Sequence, residues 1–433
     1  MKSPQTSKIA TLMVHTSPLD QAGTGDAGGM NVYVVETAKK MAQAGVSVDI
    51  FTRANKPNLP ETIEIADGVN VKHLQAGPVE GFSKEELPSQ LGALTSAFMN
   101  YQKQLPKDYY SLLHSHYWIS GQLGWVVSEA TGIPLIHTMH TTAKVKNLNL
   151  ADNEKPEPQV RAIGEEQVVK AATGLIANTD AEAASLVSLY DACPDRVFVV
   201  APGVDLQSFS PADGKAAARV RLNIAPDAIL LTFVGRIQPH KGPDVLLRAT
   251  AEMVSHSPYL RAKLAVVIIG GASGFINELE KLKSLAKFLK IEDITHFVDP
   301  VSRTVLPDWY RASDLVCVPS YSESFGLVAL EAQACGTPVV ATAIGGLRTA
   351  VSDGISGSLV DGHDPKAWSA VISRLISEPQ RRLLLSMGAV EHASHFGWEM
   401  TARKTLDVYD VMISNRSKNS ILKSLSNVNS NEQ

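Results

Sequence analysis

The pattern that most constrains this chain is a twofold series of short apolar runs alternating with helix-period segments, each series opening on a strand that runs into a glycine-containing loop. The first series has a strand Ile9–Val14, a loop to Gly29, a helix Met30–Ala44 and a strand Val46–Thr52. Later strands follow at Ser111–His114, Leu135–Thr138 and Gly174–Ala177. The second begins after Val200-Ala-Pro-Gly-Val-Asp205, with strands Ile229–Gly235, Leu264–Gly270, Thr295–Phe297, Leu315–Val318 and Pro338–Ala341. Short apolar strands joined by helical crossovers pair in parallel and are covered on both faces. The expected fold class is therefore α/β, with two doubly wound, Rossmann-like domains facing one cleft. Pro202-Gly203 and the Ala-rich stretch to Gly214 punctuate the join, as linkers do. The expected division is residues 1–202, residues 203–395, an amphipathic helix over 396–414, and a Ser- and Asn-rich tail, 415–433, with too little apolar surface to order itself.

Composition narrows the function. The chain has 433 residues, 44% of them hydrophobic, enough for two sizeable cores. A formal net charge of −4 excludes a broad basic field for nucleic acid or an anionic membrane, so any anionic ligand has to be held by local groups. Cys193, Cys317 and Cys335 have no metal-ligand spacing and read as reduced thiols of a cytoplasmic protein. Lys8–Val14 is too short for a signal segment, and no apolar run reaches membrane-spanning length.

Three segments carry chemistry. Glu323-Ser-Phe-Gly-Leu-Val-Ala-Leu-Glu331 follows the strand Asp314–Pro319 and sets two carboxylates around a turn that opens a helix at Ser324–Gly326. The free N–H groups of Phe325 and Gly326 would face the carboxyl ends of the strands, where a diphosphate can be held. Glu323 and Glu331 can accept hydrogen bonds from sugar hydroxyls. Val234-Gly-Arg-Ile-Gln-Pro-His-Lys-Gly242 places Arg236 and Lys241 just past another strand end, suited to the charge that grows on a leaving diphosphate. Gly23-Thr-Gly-Asp-Ala-Gly-Gly-Met-Asn31 matches G-x-G-x-x-G but follows its strand late, and no acidic residue closes Val46–Thr52. A dinucleotide role is therefore disfavoured, while Gly28 and Gly29 remain candidates for close approach to a phosphate. Each segment taken alone also fits an ordinary strand-loop-helix with solvated charges; their common location at strand ends is what favours a site.

His114-Ser-His-Tyr-Trp118 and His137-Thr-Met-His-Thr141 bring four histidines to strand ends, without the third ligand a zinc site needs, and read as cleft-lining groups. Lys84, Tyr117, Thr141 and Arg161 can form a phosphate pocket, although their spacing does not by itself bring them together.

With Gly235-Arg236, Lys241-Gly242 and Glu323-x7-Glu331 in place, the chain up to about Tyr409 resembles the retaining glycosyltransferases of the GT-B fold. Gly25-Asp-Ala-Gly-Gly-Met-Asn-Val-Tyr, Ser83-Lys-Glu-Glu-Leu-Pro and His114-Ser-His-Tyr-Trp narrow it to a branch acting on inositol phosphate. The resemblance implies transfer of N-acetylglucosamine from UDP-N-acetylglucosamine to 1D-myo-inositol 3-phosphate, the first step of mycothiol biosynthesis. It also implies a C-terminal helix returning to the first domain. The acceptor is then met by His15, Asp26, Ala27, Gly28, Gly29, Met30 and Asn31, with Lys84, Tyr117, Thr141 and Arg161 around its phosphate. The donor is met by Gln21, Ala22, Gly29, Arg236, Lys241, Val301, Glu323, Phe325, Gly326 and Glu331. Ala22 departs from a family position that often holds proline. The catalytic group implied is Arg236, Lys241, Glu323 and His140. No cofactor is required for catalysis; a structural magnesium ion near Tyr310, Arg311, Ser313 and Thr337, and a homodimer, are family-level expectations. The competing readings are a GT-B transferase with another phosphorylated acceptor, as in sucrose-phosphate synthesis, a nucleotide-sugar epimerase, and a non-catalytic nucleotide-sugar binder.

Overall fold

The computed structural model describes residues 8–79, 84–151, 154–271 and 277–429, with the side chains of Lys84, Glu85 and 415–429 outside that description. The first sheet contains β1 (Lys8–Leu12), β2 (Ser47–Arg53), β3 (Thr62–Ala66), β4 (Val69–Leu74), β5 (Leu112–His116), β6 (Leu135–Thr138), β7 (Gly174–Ala177) and β8 (Val197–Val199). Its strand order is β3-β4-β2-β1-β5-β6-β7-β8. The second sheet, ordered β11-β10-β9-β12-β13-β14, contains β9 (Ile229–Val234), β10 (Leu264–Ile269), β11 (Thr295–Val298), β12 (Leu315–Val318), β13 (Val339–Thr342) and β14 (Gly357–Val360). Central strands such as β5 and β12 are buried at every position, as strands covered by helices on both faces must be. All registered pairs are parallel except β3 with β4, which form an antiparallel hairpin across Asp67-Gly68. That Asp-Gly pair is the sequence signal for a two-residue hairpin, and it locates an edge the apolar-run reading passes over.

The helices that position the cleft are α1 (Gly29–Gln43), α2 (Ala143–Leu148), α3 (Gln159–Ala171), α4 (Leu327–Ala334) and α5 (Trp398–Asn429). The chain crosses between the sheets twice, side by side. Val204 N donates to Phe396 O at 2.7 Å, and a β-carbon on Gly203 would lie 2.6 Å from Trp398 N, so only glycine fits at this crossing. After the second crossing α5 returns to the first domain, where Trp398, Ala402, Tyr409 and Met412 join Ile9, Tyr33, Ile50 and Ile136 in one buried cluster. The expected end of this helix at 414 is not observed: its backbone continues through Asn429, and no proline or glycine between Trp398 and Asn429 interrupts it.

Candidate active site

The cleft between the two sheets holds a cavity of about 390 Å³, a size suited to a substrate-scale ligand. On the second-domain wall, Lys241 Nζ and Glu323 Oε2 form a 2.6 Å ion pair. Their loops are tied together where Tyr321 N donates to His240 O at 2.8 Å, and the Glu323 loop is held in turn to the segment after β13, where Gly346 N donates to Glu323 O at 2.9 Å. Gly242 adopts φ +65°, and a β-carbon there would lie 2.1 Å from Pro319 O, so the loop bearing Lys241 sits directly on the end of β12. Helix α4 starts at Leu327 with Gly326 as its N-cap at φ +105°; Ala329 N and Leu330 N donate back to Gly326 O, and the N–H groups before them precede any intrahelical acceptor. Arg236 lines the same wall; burial lowers its pKa, while Asp26 and Glu323 favour its charged form.

Deeper along that wall, Glu331 Oε2 accepts from Tyr310 Oη at 3.0 Å, and Oε1 is 3.1 Å from Arg303 Nη1. Burial raises the Glu331 pKa despite Arg303 and Tyr310, which act in the opposite direction. Arg303 also lines the cleft; no motif in the sequence marks it, because it reaches Glu331 from a separate loop.

The first-domain loop closes over this wall. A β-carbon on Gly28 would stand 3.6 Å from Arg236 Nε, and one on Gly29 would stand 3.2 Å from Leu327 Cδ1. Ala22, Asp26, Gly28, Gly29 and Met30 line the cavity, whereas Ala27 and Asn31 are buried behind it. Asn31 holds the loop: its Oδ1 accepts from Gly28 N at 3.0 Å and its Nδ2 donates to Ser17 O at 2.7 Å. Gln21 spans the domains from the rim, its Nε2 3.4 Å from Pro300 O, beside cavity-lining Val301.

On the far side, His15, Tyr117, Thr141 and Arg161 line the cavity together. The His15 and Tyr117 rings are 4.4 Å apart, and the Arg161 guanidinium lies over the Tyr117 ring at 5.0 Å. Lys84 opens a 3-10 turn, and its side chain lies outside the described residues. Two groups absent from the sequence reading, Lys146 and Glu157, complete this wall. They are eleven positions apart on either side of a loop, so spacing could not pair them.

Of the four histidines, only His140 lines the cavity; the other three belong to the core, which corrects their reading as cleft groups. His140, at φ +60°, faces His116 Nδ1 through its Nε2 at 2.9 Å. His114 bridges Tyr409 Oη at 2.5 Å and Thr138 Oγ1 at 2.9 Å, and His137 Nδ1 is 2.8 Å from Ser115 Oγ. Burial holds His114 and His137 down at about 3 and keeps His116 and His140 well below the usual imidazole value, so all four are neutral at pH 7.

Among the described residues, no group of three or more His, Cys, Asp or Glu side chains is arranged to hold a metal ion. The residues expected around magnesium make these contacts. Tyr310 O accepts from Thr337 Oγ1 at 2.6 Å and Ser313 N at 3.1 Å, and Arg311 brings a guanidinium to Ser210 O and Asp308. No step of the proposed reaction is routed through a metal ion. Cys193 is exposed; Cys317 and Cys335 are buried thiols pushed up to about 12. No helix among the described residues is long and apolar enough to cross a membrane.

Two wound sheets facing one cleft are the architecture of the GT-B fold. Residues 28–203 match the family described as "Glycosyl transferase 4-like domain", and residues 214–389 match "Glycosyl transferases group 1". The chain is 56% identical over 403 residues to D-inositol 3-phosphate glycosyltransferase 2 of Catenulispora acidiphila, covering 93% of this chain and 94% of that one. It is 54% identical over 406 residues to D-inositol 3-phosphate glycosyltransferase of Streptosporangium roseum, covering 93% of both. The chain belongs to the D-inositol 3-phosphate glycosyltransferase family. Among solved structures, sucrose-phosphate synthase from Thermosynechococcus elongatus superposes with a TM-score of 0.86 at 30% identity, over 94% of this chain and 100% of that one. Anabaena HepE in complex with UDP and glucose shares the fold, with a TM-score of 0.69 at 20% identity over 96% of this chain and 100% of that one.

Proposed function

We propose that the protein transfers N-acetylglucosamine from UDP-N-acetylglucosamine to 1D-myo-inositol 3-phosphate, with retention of anomeric configuration, as the first step of mycothiol biosynthesis. The observation that carries the reading is the meeting of Arg236, the Lys241–Glu323 pair and the N-terminus of α4 on one wall, facing Tyr117, Thr141 and Arg161 on the other. The first wall suits a diphosphate leaving group and the second a compact phosphorylated acceptor. The name shared by the relatives supports inositol phosphate as that acceptor.

In this reading Arg236, Lys241 and the N–H groups of Phe325 and Gly326 stabilise the departing UDP, and Glu331 receives the ribose hydroxyls. Glu323 orients the transferred sugar while holding Lys241 in place. Val301 and Gln21 border the base, and neutral His140 offers a hydrogen bond to the sugar without adding charge. The cleft-lining carboxylates support a route without a covalent enzyme intermediate. Glu157, Glu323 and Glu331 each sit in an ion pair, and Asp26 lies in the field of Arg236. The acceptor hydroxyl attacks C1 on the face from which UDP leaves. The C1–phosphate oxygen bond breaks as the new C1–oxygen bond forms, and the hydroxyl proton passes to a β-phosphate oxygen. Orientation by the acceptor's phosphate supplies much of the rate, since that contact is remote from the reacting hydroxyl.

Proton NMR of the product reads the anomeric coupling directly. Retention predicts an α-linked N-acetylglucosamine; a β-linked product would require an inverting base and overturn the route. The similarity to sucrose-phosphate synthase favours, as a second reading, a hexose phosphate acceptor using the same second-domain wall.

A further inference from the structure

On the acceptor side, Lys146 and Arg161 form a cation pair bridged by one carboxylate. Glu157 Oε1 accepts from Lys146 Nζ, and Glu157 Oε2 lies 2.9 Å from Arg161 Nη1. The rest of Arg161 is committed to the core: Nε donates to Glu165 Oε1 at 2.7 Å and Nη2 to Thr141 O at 3.0 Å. Glu165 is fully buried and also receives Ala143 N and Tyr190 Oη, which makes it a fixed anchor. Glu157 differs: its side chain is 21% exposed and borders the cavity. Burial works to raise its pKa, but Arg161 and Lys146 outweigh it and hold the group at about 2, so it stays ionised. Its two oxygens, one on a lysine and one on an arginine, reproduce the contacts that two oxygens of a phosphate would make.

We propose that Lys146 is a further phosphate ligand of the acceptor site, and that Glu157 is the built-in counter-ion from which the acceptor's phosphate takes over Lys146 and Arg161. The inference rests on the proposed phosphorylated acceptor. Without Glu157, Glu165 would still balance Arg161 from the core side, while Lys146 and the cavity-facing Nη1 of Arg161 would be left to draw in small anions. With Glu157 in place, a ligand must bring both phosphate charge and ring contacts to compete. Glu157 is thus a specificity-determining residue, and Lys146 supplies a point charge beside the anchored Arg161 fork.

The test uses the full-length protein, with Lys146→Met, Lys146→Arg and Glu157→Gln. Steady-state kinetics give acceptor and donor KM separately, and calorimetry gives the affinity for inorganic phosphate without turnover. The expected result for Lys146→Met is an acceptor KM raised about 10- to 100-fold with donor KM unchanged, as for loss of one charge-assisted contact, and partial rescue in Lys146→Arg. Glu157→Gln is expected to bind inorganic phosphate several-fold more tightly than the wild type. An unchanged acceptor KM in Lys146→Met, or unchanged phosphate affinity in both Lys146→Met and Glu157→Gln, would overturn the proposal. Failure of the acceptor reading itself has a different signature: the wild type would then ignore 1D-myo-inositol 3-phosphate altogether, and the calorimetric arm alone would decide whether Lys146 and Glu157 form a phosphate site.

Discussion

Arg236 and Lys241 approach the proposed diphosphate with different chemistry, a planar fork partly enclosed by the glycine loop and a point charge pinned by Glu323 at 2.6 Å. Replacing Lys241 by Met removes that charge while keeping its apolar stem, so turnover at saturating substrates should fall about 100-fold or more. Single-turnover UDP release measures this; a loss of only a few-fold would remove Lys241 from the leaving-group role. The buried histidines make a separate prediction. Burial holds His114 and His137 at about 3 in the folded chain, against about 6.5 for an ordinary imidazole. Below pH 6.5 the unfolded chain binds protons that the folded chain refuses. Stability is therefore complete above that value and falls as the pH drops toward 3, by about 1.4 kcal/mol per pH unit for each group. Urea titrations at pH 7, 6 and 5 should show this decline, with a shallower slope in His114→Gln; equal slopes would show that His114 takes a proton in the folded state. At this scale the sequence made Glu323, Glu331, Arg236 and Lys241 legible, because each follows a strand end within a short motif. Lys146, Glu157 and Arg303 were not legible, since their partners come from separate loops and only the fold brings them together.

Among the elements, the junctions matter more than the strands. The loop ending at Gly242 turns at φ +65° with the backbone of β12's end in the space a side chain would need. Gly242→Ala should therefore cost both stability and activity, by about 1–3 kcal/mol for the strained backbone alone, because Lys241 moves with the loop. A denaturation midpoint equal to the wild type's would contradict that close contact. Apolar runs located most of the parallel strands, since strands buried on both faces contain little else. They missed β3, β4, β8 and β14. The first two form an edge hairpin marked only by Asp67-Gly68, and β8 and β14 are the outermost strands at the other ends of their sheets, β8 being only partly buried. The start of α4 lay one residue beyond the expected Ser324–Gly326, because Gly326 acts as its left-handed cap.

At the scale of the whole molecule, two wound sheets share one cleft and are joined by paired crossings at Val204 and Gly397. Helix α5 buries Trp398, Tyr409 and Met412 against the first sheet, so the chain's last described element locks the domain where its first strand begins. Tyr409 also bonds His114, linking that helix to the strand next to the acceptor wall. The two domains could be read as repeated strand-helix series, but the pairing of crossings could not, because Gly203 against Trp398 is a contact between segments almost two hundred residues apart. The glycine loop of the first domain against Arg236 and Leu327 of the second supports a reaction carried out between the domains. The most direct test is UDP release from UDP-N-acetylglucosamine, compared with 1D-myo-inositol 3-phosphate, free inositol, glucose 6-phosphate, fructose 6-phosphate and no acceptor. The account predicts release that depends on 1D-myo-inositol 3-phosphate and yields a product bearing both sugar and phosphate. Equal release without acceptor, or release with a hexose phosphate alone, would contradict it.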